Sequence, residues 1–122
     1  IYLFYSFCLP SQIEGLRLIW LFTSKSFLSV VSDKENSKGD KLLVRSCIMG
    51  DIEEVFPSPV VMEKPYADCS FRAWLPRTEV IQALSHYVED LDYSNFKNSV
   101  EDKDRIRPLM RVWTTMHEYK EA

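Results

Sequence analysis

The run from Asp68 to Val100 constrains the fold more than any other part of the chain. It reads DCSFRAWLPRTEVIQALSHYVEDLDYSNFKNSV. From Cys69 to Leu75 the side chains alternate as in a strand, with Phe71, Ala73 and Leu75 on one side and Arg72 and Trp74 on the other. Pro76 ends that strand. Thr78 is placed to cap a helix, and Glu79 favours its first turn. Val80, Ile81, Leu84, Tyr87, Val88 and Leu91 then recur at helical spacing and form one stripe. A strand that feeds straight into an amphipathic helix needs a sheet to join and a sheet face to cover, which is an α+β arrangement.

The upstream segments supply that sheet. Leu18–Val31 reads as one long strand, or as two segments with an irregularity near Ser24–Ser26. Phe27, Ser29 and Val31 would share one face, with Leu28 and Val30 on the other. Ser32–Asp40 is polar, with Asn36 and Gly39 as turn formers, and reads as a hairpin loop. Lys41–Met49 is the return strand, in which Leu42, Val44, Ser46 and Ile48 alternate with Leu43, Arg45, Cys47 and Met49. Asp51 followed by Glu54 has the spacing of a capping box, and Pro57 and Pro59 keep the helix behind it short. Ser58–Tyr66 is a proline-punctuated loop.

Downstream, Asp92–Arg107 is polar, and Pro108 suits the first turn of a final helix. Leu109, Val112, Trp113 and Met116 stand at i, i+3, i+4 and i+7, which predicts a face docked on the core, with Tyr119 at its edge. The expected architecture is α+β, a small three- to four-stranded antiparallel or mixed sheet with helices packed on one face. Residues 20–122 form this single domain. Residues 1–19 read as an apolar N-terminal extension: an edge strand, a docking arm or a non-native addition. Its uncharged stretch over residues 1–13 breaks at Pro10, far short of the ~20 residues that span a bilayer.

Composition narrows the function classes. The chain has 122 residues, 46% hydrophobic and 27% charged, with a net charge of -3. A mildly acidic chain is a poor general binder of nucleic acid, which needs a basic face. Cys8, Cys47 and Cys69 are odd in number and lack zinc-knuckle or redox spacing. They predict unpaired thiols in a reducing compartment, hence a cytoplasmic protein without a disulfide framework. Glycines stand only at 15, 39 and 50, so no phosphate-cradling loop can be built. No cofactor and no metal is implied, and the question of enzymatic activity stays open.

Two groups of residues are candidates for binding. Arg72 and Trp74, with Arg45 beside them, could present an anion-, base- or partner-binding sheet face. The same side chains could equally be the covered side, with Trp74 in the core and the arginine stems along it. The loop Asp90–Asn98 could be a recognition corner with Tyr93 and Phe96 as anchors and Asn95 and Lys97 as donors. Read structurally, it is a helix C-cap in which Asn95 turns left-handed, Phe96 enters the core and Lys97 offsets the helix dipole. His86 could act as a base or simply sit at the surface.

WLFTSKSFLSVV at 20–31, LLVRS at 42–46, YADCSFRAWLPRTE at 66–79, DLDYSNFKNSV at 90–100 and RVWTTMHEY at 111–119 carry a resemblance. Together they resemble a family of small uncharacterised bacterial proteins. The resemblance spans Trp20 to Tyr119, implies no activity, and is similar to the stand-alone frames of mobile elements and integron gene cassettes.

Two functions therefore stand open. One is a non-enzymatic interaction module, self-associating or joined to a protein partner through the open sheet face or the N-terminal arm. The other is a small-ligand-binding protein or small enzyme with a site near Arg45, Arg72, Trp74, Tyr93, Asn95 and Lys97.

Overall fold

Alternation in the first half of the chain and helical spacing in the second translate into a sheet followed by helices. The computed structural model describes residues 17–32 and 40–121. Five strands, β1 (Arg17–Phe22), β2 (Phe27–Ser32), β3 (Lys41–Ser46), β4 (Met62–Glu63) and β5 (Phe71–Pro76), form one sheet in the order β1-β2-β3-β5-β4. All pairings are antiparallel. The helices are α1 (Asp51–Val55), α2 (Arg77–Glu89), α3 (Phe96–Ser99) and α4 (Lys103–Glu121).

The α+β class holds, with more strands than the sequence suggested. The long apolar segment is two strands, and β4 lies in the segment read as a loop. β1 begins at Arg17, so residues 17–19 belong to the sheet. The remainder of the apolar extension and the Asn36–Gly39 turn lie outside the described residues. The β1–β2 turn closes because Thr23 N–H donates to the Ser26 carbonyl at 2.9 Å and the Thr23 and Ser26 hydroxyls meet at 2.6 Å. Phe22 and Phe27, paired across that turn, stack with centroids 4.5 Å apart.

One sheet face carries the core. Leu28 and Val30 of β2, Leu42 and Val44 of β3, and Ala73 and Leu75 of β5 pack beneath Ile52, Val55 and Phe56 and beneath Val80 and Ala83 of α2. Burial of this kind contributes about 25 cal/mol for each Å² of apolar surface removed from water. The α2 stripe is rotated from the expected one. Val80, Ala83, Leu84 and Tyr87 face the core, whereas Ile81, Val88 and Leu91 stay exposed at 57%, 68% and 54%. The stripe is wider than the face α2 turns to the sheet, so its flank stays in solvent among the described residues. Its start is held by Asp40, which accepts from Arg77 N–H at 2.9 Å and Arg77 Nε at 2.8 Å.

Gly50 precedes α1 with φ +93, a backbone state that an L side chain adopts only under strain. Asp51 follows it, and not as a capping-box residue. The side chain is buried and accepts from Phe27 N–H at 2.8 Å and from Arg105 at 3.0 and 2.7 Å. This carboxylate thereby ties the β1–β2 turn, α1 and α4 together.

The final helix departs most from expectation. It starts at Lys103, with Asp102 accepting from the N–H groups of Asp104 and Arg105 at 2.9 and 3.4 Å. Pro108 stands inside the helix, where it has no N–H to donate to the Asp104 carbonyl. Leu109 is buried, but Val112, Trp113, Met116 and Tyr119 are 38%, 59%, 55% and 75% exposed. Of the face read as docked on the core, only Leu109 is buried. Asp102→Ala removes the cap and is expected to lower the unfolding free energy by about 1 kcal/mol in urea titrations.

Cys47 and Cys69 form a disulfide across the ends of β3 and β5. This corrects the expectation of unpaired thiols: two cysteines 22 apart in sequence become cross-strand neighbours once Ser46 pairs with Phe71.

Candidate functional site

The strand register decides which candidate residues meet. On the sheet face opposite the core, Trp20, Ser29, Arg45, Arg72 and Met62 form a row with one residue from each strand. Leu18, Val31, Leu43 and Trp74 form the next row. The structure thus brings Arg45, Arg72 and Trp74 together on one face. Arg45 donates from Nη2 to the Ser29 hydroxyl at 3.1 Å. Burial and the adjacent Arg72 pull the Arg45 guanidinium below its ordinary value, while Asp68 works the other way. The Arg72 Nε is buried and has no hydrogen-bond partner among the described residues.

Tyr93, Asn95 and Lys97 lie elsewhere. Asn95 is extended at φ -141 and precedes α3, so the left-handed cap is absent. Phe96 is half-buried outside the core cluster and packs edge-on against Tyr93, with centroids 6.2 Å apart. Lys97 is exposed in the last turn of α3. Of these three, only Tyr93 lines a cavity, and that cavity is on the helix side of the sheet. The six candidate residues therefore do not form one site.

That cavity is a groove of about 1080 Å³ between the β1–β2 turn, α1, α2 and the segment leading to α4. Its floor is apolar, with Leu21, Val55, Ala83 and Val88, and Leu91 extends it. Its rim is acidic: Glu54, Glu79, Asp90, Asp92 and Glu101 face a single lysine, Lys25. His86 is on the wall, exposed and 3.9 Å from Glu89 on its own helix. No nucleophile is paired with it, so it has the geometry of a surface histidine.

Tyr87 crosses the inner end of the groove and donates to the Glu54 carbonyl at 3.5 Å. Burial first, and then the Glu54 carboxylate, push its phenol above the ordinary value, against a hydrogen bond with Thr23. The neutral phenol is the form favoured by folding. Its contribution is complete below the ordinary value of about 10 and is lost as pH rises through the folded value. Tyr87→Phe should therefore flatten the fall in stability above about pH 10, measured as the thermal midpoint against pH. An unchanged slope would assign that fall to other groups.

Sequence reasoning missed both the groove and the Asp51–Arg105 pair. The groove assembles from four separate segments, and only the excess of apolar positions on α2 hinted at it. Among the described residues, no group of three or more His, Cys, Asp or Glu converges as metal ligands would. No described helix is long and apolar enough to cross a membrane. No family model, curated protein or solved structure matches the chain.

Proposed function

We propose that this chain is a non-enzymatic interaction module that works by burying the outer faces of α2 and α4 against another polypeptide. The observation that carries the reading is the exposed stripe Val112, Trp113, Met116 and Tyr119 on α4. Scattered apolar residues are normal on a surface, but a continuous apolar stripe along one helix is the pattern of a docking surface. Nucleic acid remains a poor fit to a net charge of -3. The bacterial, mobile-element origin implied by the resemblance belongs to this proposal and brings no activity with it. A cytoplasmic location loses the argument that unpaired thiols gave it.

The test is a photo-reactive phenylalanine analogue in place of Met116, irradiated in cells that make the protein, with the same probe at Arg111 as control. A discrete adduct at 116, absent at 111, is the expected result. Absence of any discrete adduct at 116 would end the reading.

A second reading, a small-anion site, is favoured by the registered pair Arg45 and Arg72 beside Trp74. Two adjacent guanidiniums suit a bidentate oxyanion such as phosphate or carboxylate. Millimolar phosphate should raise the thermal midpoint of the chain and fail to do so with Arg72→Met. Equal midpoints with and without phosphate would dispose of this second reading.

A further inference from the structure

The geometry points to a specific occupant for the groove: the α4 helix of a second copy of this chain, exchanged reciprocally in a two-fold dimer. This rests on the interaction reading above and names its partner. Each copy carries both halves of the interface. The groove offers apolar lining through Val88 and Leu91, and α4 offers Trp113, stacked on His117 of its own helix, and Met116, both more than half exposed.

The groove is large enough to admit one face of a helix. Pockets for drug-sized ligands run to about 300–1,000 Å³, and this groove holds about 1080 Å³. Over residues 109–120 the helix extends about 18 Å, with a width near 10 Å. Half its thickness displaces about 700 Å³ at those dimensions, which fits the groove.

Area favours exchange over simple pairing of two α4 helices. One face of that segment presents about 280 Å², so two helices packed on each other remove about 570 Å² in all. A stable interface needs about 1,000 Å² or more. Two helices docked in two grooves bury both helix faces and both groove surfaces, about 1,100 Å², which reaches that threshold.

Charge agrees. The groove rim carries five carboxylates against Lys25. The docking segment 109–120 carries Arg111 and Lys120 against Glu118, an excess of one cation. Connectivity agrees as well, because Asn98, Ser99 and Glu101 line the groove and lead directly into α4. The Asp51–Arg105 pair anchors the helix start on its own chain, so the exposed remainder reaches outward. An isologous exchange of this kind closes without leaving a further copy to recruit.

Sedimentation equilibrium of the full chain tests this. The wild type should run at twice 14.3 kDa. Trp113→Glu spoils the helix stripe and Val88→Glu spoils the groove; both residues are exposed, so circular dichroism should show each variant folded. Each alone should weaken the dimer at least a hundredfold. An equimolar mixture should associate more tightly than either variant alone and less tightly than the wild type, because one of the two α4–groove contacts is then intact. A wild-type monomer at several hundred micromolar would overturn the proposal, while an adduct to a different protein in the cross-linking test would keep the broader reading alive. A wild-type dimer insensitive to Val88→Glu, or a mixture that associates no more tightly than the variants alone, would also overturn it, the former in favour of direct α4–α4 pairing.

Discussion

Asp51→Ala is expected to lower the unfolding free energy by about 3–5 kcal/mol, the cost of leaving one member of a buried ion pair alone. Asp51 is 3% exposed and receives three hydrogen bonds, one from the Phe27 N–H and two from Arg105. Without the carboxylate, the Arg105 side chain, 15% exposed, keeps its charge without that partner. The Phe27 N–H loses its acceptor at the same time. Arg105→Met combined with Asp51→Ala should recover part of the loss, because the stranded charge is then gone. The hydrogen bond to Asp51 raises the Arg105 guanidinium above its ordinary value. That contribution is complete below the ordinary value and fades only as pH climbs through the raised one, so moderate alkali leaves the pair intact. Urea titration of the two variants measures these effects. A loss under 1 kcal/mol for Asp51→Ala would show that the pair does not hold α4 to the domain.

Reducing the Cys47–Cys69 bridge should cost about 3 kcal/mol, from the chain entropy returned to the unfolded state by opening a loop of this size. The sequence separation is 22 residues. Cys47 is exposed, so a small reductant can reach the bond, while Cys69 is buried at 7%. Unfolding curves with and without dithiothreitol should differ by that amount, and Cys69→Ser should reproduce the reduced curve. Alkylation after reduction should add two groups that alkylation before it does not. If reduction uncovers no further thiols in protein purified under non-reducing conditions, the bridge is not formed and the original reading of the cysteines stands.

Features set by local periodicity were legible in the sequence. The alternation in Phe71–Leu75 and Lys41–Ser46 placed the right residues on each face, and it put Arg45, Arg72 and Trp74 on one side. The 80, 83, 84, 87 face of α2 was partly legible. The pattern alone could not show how much of a five-stranded sheet one helix would cover, so Ile81, Val88 and Leu91 were assigned to a core that does not reach them. The same reasoning failed for α4, where spacing established an apolar stripe but not what lies opposite it. Asp51 was misread because a carboxylate followed by Glu54 suits a cap locally. Its two long-range partners, Phe27 and Arg105, lie 24 and 54 residues away. The disulfide escaped notice for a related reason: cysteine spacing carries no information about strand pairing. Of the candidate site, the arginine–tryptophan half assembled, because a sheet register brings it together. The Tyr93–Lys97 half lies on a different surface, because α2 carries it to the other side of the sheet.

The exposure of residues 111–120 along α4 has a thermodynamic consequence. Residues 111–120 of α4 are all exposed among the described residues, and stretches shorter than about 12–15 residues are marginal as helices in water. The end of the chain is therefore expected to fray, and hydrogen exchange should find its backbone amides less protected than those of β2 or β3. To the extent that the end frays, a docking event spends part of its binding free energy on ordering it. Affinity then depends on residues that touch no partner. Thr114 and Thr115 lie off the apolar stripe, and replacing each by alanine would favour the helical state by about 0.5 kcal/mol. A surface of this kind is tuned through backbone propensity as much as through contact, and it strengthens on cooling as the helix fills in.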